Sequence, residues 1–420
     1  MNSNSLHGML CNQEVFYMSG NFNTRETFLK ILGFEPADRT LNWEFGYWGG
    51  TVKRWYREGL PEIDGLPEKV SEGRGVNGSG QPSGTPSFGG TISLRDKDIS
   101  RYFNFDENFT LVPYNYWIYP RFEKKPVSED ERYIELYDTD GIRKKILKDD
   151  SSMPFWLEWP VKNQKDWQQM KEERFNFNSV TSRYYSDIDE FAEKTRDRTF
   201  PLGILGAPTG FFGTLRFLFG EENLFMLYYD NPSLINDILD HLCQLWIYMC
   251  EELLAKMDFD IACFWEDMSG RQGSLISPAT FREFMTPRYK KLIGFLKSKG
   301  IKYFVVDTDG RVDGLIPLFL ECGINVMYPF EQQAGNDMAK LRKSFPELAM
   351  LGGFNKNVLA ATKEDIDKEL AKMPALISGG GYIPCADHLV PPNSSWENFK
   401  YYRQQLGKII LSTTVRGKQG

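Results

Sequence analysis

The stretch Tyr303-Phe304-Val305-Val306-Asp307-Thr308-Asp309-Gly310 joins four large apolar residues directly to two acids and a glycine. A continuous apolar run of this length reads as a strand buried on both faces, the mark of a parallel sheet. Its acids follow at the C-terminal end, where such a sheet presents its chemistry. Working outward, the same unit recurs. Residues 201–206, 261–265, 326–328, 349–351 and 382–384 are further short apolar strand candidates, and longer helical stretches separate them. The clearest helix covers 232–257, where Leu234, Ile235, Ile238, Leu239, Leu242, Leu245, Trp246 and Met249 follow the 3.6-residue period. An open doubly wound sheet suits this alternation too, but polar residues gather after every strand, as they do when all strand–helix loops meet at one face. The expected fold class is α/β, a (β/α)8 TIM barrel with an N-terminal extension and a β-rich insertion.

The extension covers 1–100. It holds a helix from Thr24 to Gly33, the alternating large side chains of 41–48, a second helix at 51–59 and a Gly/Ser/Pro-rich stretch, 71–90, that reads as a mobile loop or lid. Residues 101–160 alternate short β-like runs with turn signals and form the insertion; 161–420 carry the main part of the barrel.

Composition narrows the function classes. At 420 residues the chain is one large barrel or two domains, and 41% apolar residues supply an ample core. A net charge of −7 without a Lys/Arg stripe argues against nucleic acid and against an anionic membrane surface. The first twenty residues lack a signal pattern and no segment has the length of a membrane span, so a cytoplasmic protein is expected. Six dispersed cysteines without a CxxC pair imply reduced thiols. Neither a GxGxxG nor a P-loop follows a strand, which leaves a nucleotide site without an anchor.

The strand ends supply the candidate site. They carry Arg216, Glu266 with Asp267, Asp307 with Asp309, Tyr328 with Glu331, Lys356, and finally Cys385, Asp387 and His388. Asp307 and Asp309 lie two apart on an extended stretch, so their carboxylates share a side; held close, they repel, and either one keeps a proton or a cation sits between them. The alternative is an Asp-Gly turn in which Asp307 only caps a helix. His388 follows the last strand candidate, in the loop ring that should hold the active site. Together Asp307, Asp309 and His388 offer oxygen and nitrogen donors suited to a divalent metal such as zinc, manganese or iron. Glu266 is expected to add a ligand or base, and Trp43, Arg216, Tyr328 and Glu331 to contact substrate. For Asp267 a helix-capping role weighs equally, and Cys385 reads as a small buried hydrophobe.

From about 200 to 410 the chain resembles the uroporphyrinogen decarboxylase superfamily. The resemblance rests on Gly206-Ala207-Pro208-Thr209, on Ser274-Leu275-Ile276-Ser277-Pro278-Ala279-Thr280-Phe281, on Asp307–Gly310, on Gly323-Ile324-Asn325-Val326, on Leu351-Gly352-Gly353 and on the closing segments 380–383 and 388–391, in that order. It implies a (β/α)8 barrel and either a decarboxylase or a zinc-dependent methyltransferase that works with a corrinoid protein. The Arg-rich N-terminal signature of the decarboxylases is absent from this sequence. Where the methyltransferases place a His-x-Cys-Gly run and a late Cys, this chain has Asp307-Thr308-Asp309-Gly310 and His388. Harder ligands leave a metal a stronger Lewis acid, suited to polarising an oxygen of a methyl donor. The reading is a metal-assisted methyltransferase, zinc first among the metals, moving a methyl group between a small donor and a corrinoid carried by a partner protein; the resemblance also implies a homodimer. The alternatives are a metal-free decarboxylase or lyase with Arg216 or Arg271 as carboxylate clamp, and a non-catalytic binding barrel.

Overall fold

The structure is a computed structural model that describes residues 22–62, 96–148 and 153–418. The Gly-rich stretch 71–90 lies outside the described residues. Among the described residues thirteen strands follow in chain order: β1 (Thr110–Leu111), β2 (Lys125–Glu129), β3 (Tyr133–Tyr137), β4 (Arg143–Leu147), β5 (Phe155–Glu158), β6 (Leu202–Leu205), β7 (Ile261–Trp265), β8 (Ser269–Gly270), β9 (Gly273–Ser274), β10 (Tyr303–Asp307), β11 (Val326–Tyr328), β12 (Ala349–Leu351) and β13 (Tyr382–Ile383). Seven of them form one parallel sheet in the order β1-β6-β7-β10-β11-β12-β13, with helices between successive strands.

Each sheet strand is apolar on both sides because each side meets a different core. Cys263, Val305, Val326, Ala349, Leu351 and Ile383 point into the barrel lumen, whereas Ala262, Phe264, Phe304, Val306, Met327 and Met350 pack outward under the helices. The expected helix at 232–257 is observed as Pro232–Leu254, its start capped by the Asn231 side chain on the Leu234 amide, and its periodic apolar face is buried.

The gap between β13 and β1 at the two edges of the seven-stranded sheet is bridged by a segment expected in the extension, which makes one isolated β-bridge, Tyr47 to Val390, and no strand. The extended segment 40–47 runs between β13 and the approach to β1. On one side the Thr40 hydroxyl donates to the Tyr382 carbonyl at 2.8 Å, and the Val390 amide donates to the Gly46 carbonyl at 2.9 Å. On the other, the Asn42 amide donates to Asp106 Oδ2 at 2.7 Å and the Trp43 indole to the Glu107 carbonyl at 3.3 Å. Its alternation has a direct cause: Leu41, Trp43 and Phe45 enter the lumen core, while Glu44 turns outward to a buried ion pair with Arg403 of the C-terminal helix Trp396–Ser412 at 3.0 Å. The helix Thr24–Leu32 closes the opposite end of the lumen with Phe28, Ile31 and Leu32.

The β-rich insertion is an antiparallel sheet, β2-β3-β4-β5, and is shorter than the expected 101–160, because Thr110 and Leu111 pair with Leu202 and Gly203 in the barrel. It follows β1 and so rises from the same end as the other strand–helix loops. Among the described residues no helix is long and apolar enough to cross a membrane.

Candidate active site

The C-terminal ends of the strands converge as expected. Asp307 ends β10 in register with Trp265 of β7 and Tyr328 of β11; the Trp265 ring stacks on Phe217 of the helix Phe211–Phe219, at 5.2 Å between centroids, and Asp307 keeps company with Tyr328. The Tyr328 hydroxyl is hydrogen-bonded to the Asp307 carboxylate; burial, and then the charge of Asp307, push its pKa well above the usual phenol value. Two residues on, Asp309 Oδ2 lies 3.3 Å from His388 Nε2. The imidazole stacks on Phe45, with ring centroids 5.2 Å apart, and Phe45 meets Tyr328 edge-on at 6.1 Å. Asp307, Asp309, Tyr328 and His388 thus form one patch, with Phe45 as its wall.

The backbone around this patch is tightly constrained. Leu205 at the end of β6, and Asp267 and Phe330 two residues past β7 and β11, adopt left-handed φ values of 68°, 41° and 63°. Such strain in non-glycine residues gathers where a site demands it. Gly310 has a φ of 75°, and a β-carbon there would stand 2.3 Å from the Ser269 carbonyl oxygen, so this turn admits only glycine.

A second layer of polar groups stitches the loops together. Glu331 accepts the Gly310 amide at 3.0 Å and pairs with Lys356 Nζ at 3.0 Å. Asp387, almost fully buried, accepts the amides of Gln332 at 2.7 Å and Lys356 at 2.9 Å; burial pushes its carboxyl up to about 6.

Three expected residues serve elsewhere. Glu266 does not face the patch. It is fully buried and accepts the amides of Phe211, Phe212 and Gly213 at 2.7 to 2.8 Å, together with the Tyr289 hydroxyl, so it caps the helix Phe211–Phe219 from the neighbouring strand. Burial pushes it up to about 7, against the pull of those four donors. Trp43 lies in the lumen core between Phe28 and Phe109, and Phe45, one pleat further along, reaches the mouth instead. Arg216 is engaged by the Asp267 carbonyl and carboxylate, the latter at 2.9 Å, and by Glu221 at 3.4 Å.

The donors expected for a metal do not fit an ion as they stand. Among the described residues no group of three or more His, Cys, Asp or Glu side chains is placed to hold one. Asp309 and His388 meet, but Asp307 is taken by Tyr328. A cavity of about 450 Å³ on the antiparallel sheet is lined by Pro126, Ile134, Leu136, Ile146 and Leu147 between Lys124 and Lys148, apart from the acids and the histidine of the strand ends.

A barrel with its polar groups at the strand C-termini defines the architectural class. The chain belongs to the uroporphyrinogen decarboxylase (URO-D) family, whose model matches residues 148–406, more than half of the sequence. A solved methyltransferase from Methanosarcina mazei superposes with a TM-score of 0.54 over 92% of this chain and 99% of its own, at 15% identity, which supports the fold. No curated protein matches the sequence.

Proposed function

We propose that the protein is a methyltransferase that takes a methyl group from a small methylated donor and passes it to a corrinoid carried by a partner protein. The observation that carries the reading is the contact of His388 with Asp309 at the mouth of a uroporphyrinogen decarboxylase-family barrel. The solved methyltransferase of the same fold supports the reaction class. When a methyl group leaves oxygen, nitrogen or sulfur, the bonding pair stays on that atom, which then needs a proton. In this reading His388 delivers it, and Asp309, 3.3 Å away, orients the ring and offsets the imidazolium charge. The corrinoid supplies the nucleophile that takes the methyl group. Phe45 and Tyr328 give the donor an apolar wall, and no step here passes through a metal ion. Of the two arginines that the lyase reading offers as a carboxylate clamp, Arg216 is already engaged by Asp267 and Glu221, and Arg271 is exposed in the turn between β8 and β9.

The test follows methylcobalamin formation spectrophotometrically from reduced cobalamin, with methanol, methylamines, methyl sulfides and methoxyarenes as donors. Turnover with one class, lost in His388→Gln, is expected. Absence of transfer from every class, with carbon dioxide released from a carboxylated substrate instead, would sink the proposal.

A further inference from the structure

We propose that Asp387 and Asn336 are positioning residues that set the contact between Asp309 and His388 from behind. Asp387 is 1% exposed, and its two carboxylate oxygens hold amides of two different loops, Gln332 after β11 and Lys356 after β12. Its own amide donates to the Phe354 carbonyl at 2.8 Å. The chain is therefore fixed at three points immediately before His388. On the other side, Asn336 is 2% exposed, and its Nδ2 donates to the Gly310 carbonyl at 2.8 Å and to the Glu331 carbonyl at 2.9 Å. Its Oδ1 accepts the Val312 amide at 3.1 Å. The chain is thus fixed on both sides of Arg311, immediately after Asp309.

Both side chains spend their hydrogen-bonding capacity on the backbone of neighbouring loops, which is a costly use of a buried polar group unless register between those loops matters. The loops they join are the ones that present Asp309, Glu331, Lys356 and His388. An apolar residue would fill the same volume but would leave the loops free to slide. The inference takes its location from the proposed site but not its chemistry, since it concerns how two side chains are held and not what they transfer.

The experiment follows the imidazole resonances of the full-length protein labelled at histidine. The chain has three histidines; His388→Gln identifies the relevant signal, and His241, bonded to the Phe175 carbonyl at 2.7 Å on an outer helix, reports that the barrel is folded. In the wild type, Asp309→Asn should shift the His388 signals. In Asp387→Asn and Asn336→Ser backgrounds the same change should produce less than about half of that shift, the non-additivity expected of coupled sites, while His241 stays in place. An undiminished shift in a background that keeps the His241 signal would overturn the proposal. Should one background lose that signal through misfolding, the other carries the same readout from the opposite side of the pair.

Discussion

His388 Nε2 stands 3.3 Å from Asp309 Oδ2, although seventy-nine residues and three strands separate the two in the chain. The pair joins the loop after β10 to the loop after β13, on opposite sides of β11 and β12. Its side chains are 12% and 30% exposed, so solvent reaches it.

That exposure makes the pair testable without loss of fold. Asp309→Asn and His388→Gln are each expected to lower methyl transfer by about 10²- to 10⁴-fold, the range of general acid–base catalysis, with an unchanged circular dichroism spectrum. Because the two act as a unit, the double variant should be little worse than either single one. Multiplicative losses would show that they act separately.

The turn after Asp309 sets a steric prediction. Gly310→Ala places a methyl group against the Ser269 carbonyl in a left-handed conformation, whereas a β-carbon at Gly314 meets nothing within 4 Å. Gly310→Ala should cost about 2 kcal/mol or more of unfolding free energy in urea, and Gly314→Ala less than about 1 kcal/mol. Equal effects would remove the reason given for glycine at 310.

Glu266 gives stability a pH dependence. Its carboxyl is pushed from its ordinary 4.5 up to about 7 by burial. Between those values the folded state binds more protons than the unfolded state, so this group's contribution to stability is full below about 4.5 and falls as pH rises towards 7. Glu266→Gln should flatten the urea midpoint over this window, by no more than about 1.4 kcal/mol per pH unit. An unchanged pH profile would mean that the carboxyl titrates where it does in the unfolded chain.

Tyr328 bears on any ion the mouth can take. Its hydroxyl engages the carboxylate of Asp307, one of the three expected ligands. Tyr328→Phe releases that carboxylate, and zinc titrated calorimetrically should bind about tenfold tighter than to the wild type, the worth of one hydrogen bond to a charged group. Equal affinity would show that the hydroxyl does not withhold Asp307.

The sequence made the barrel legible from 200 onward because strands flanked by helices on one side and a filled lumen on the other must be apolar along their buried length, as 303–306 and Ile261–Trp265 are. Residues 41–48 alternate just as legibly, but alternation alone does not say which sheet a segment joins, and its partners Tyr382 and Val390 lie at the far end of the chain. The same limit separates Trp43 from Phe45. Both point inward, and only the height of the segment in the lumen decides which one reaches the mouth. His388 and Asp309 were legible as strand-end residues. Glu266 was misread because a strand end has two faces, and the amide cluster of the helix Phe211–Phe219, which claims it, leaves no trace in its own neighbourhood of the sequence. Asp387 could be noticed beside His388, but Asn336 lies on a loop whose purpose appears only when Gly310 is seen beneath it.

The segment at 40–47 has a consequence for how the protein is made. Thr40 leaves the ribosome 342 residues ahead of Tyr382, its partner across the closing seam. The staves on one side of that seam are among the last to be synthesised, so no nascent chain can complete the cylinder. Closure is a late, long-range event, slow by the entropy of so large a loop and exposed to misassociation until it happens. A chain cut short before β13 loses more than a terminal helix. It leaves the cylinder open along that seam, with the lumen face of Leu41, Trp43 and Phe45 uncovered on one side, a species for chaperones and proteases to sort.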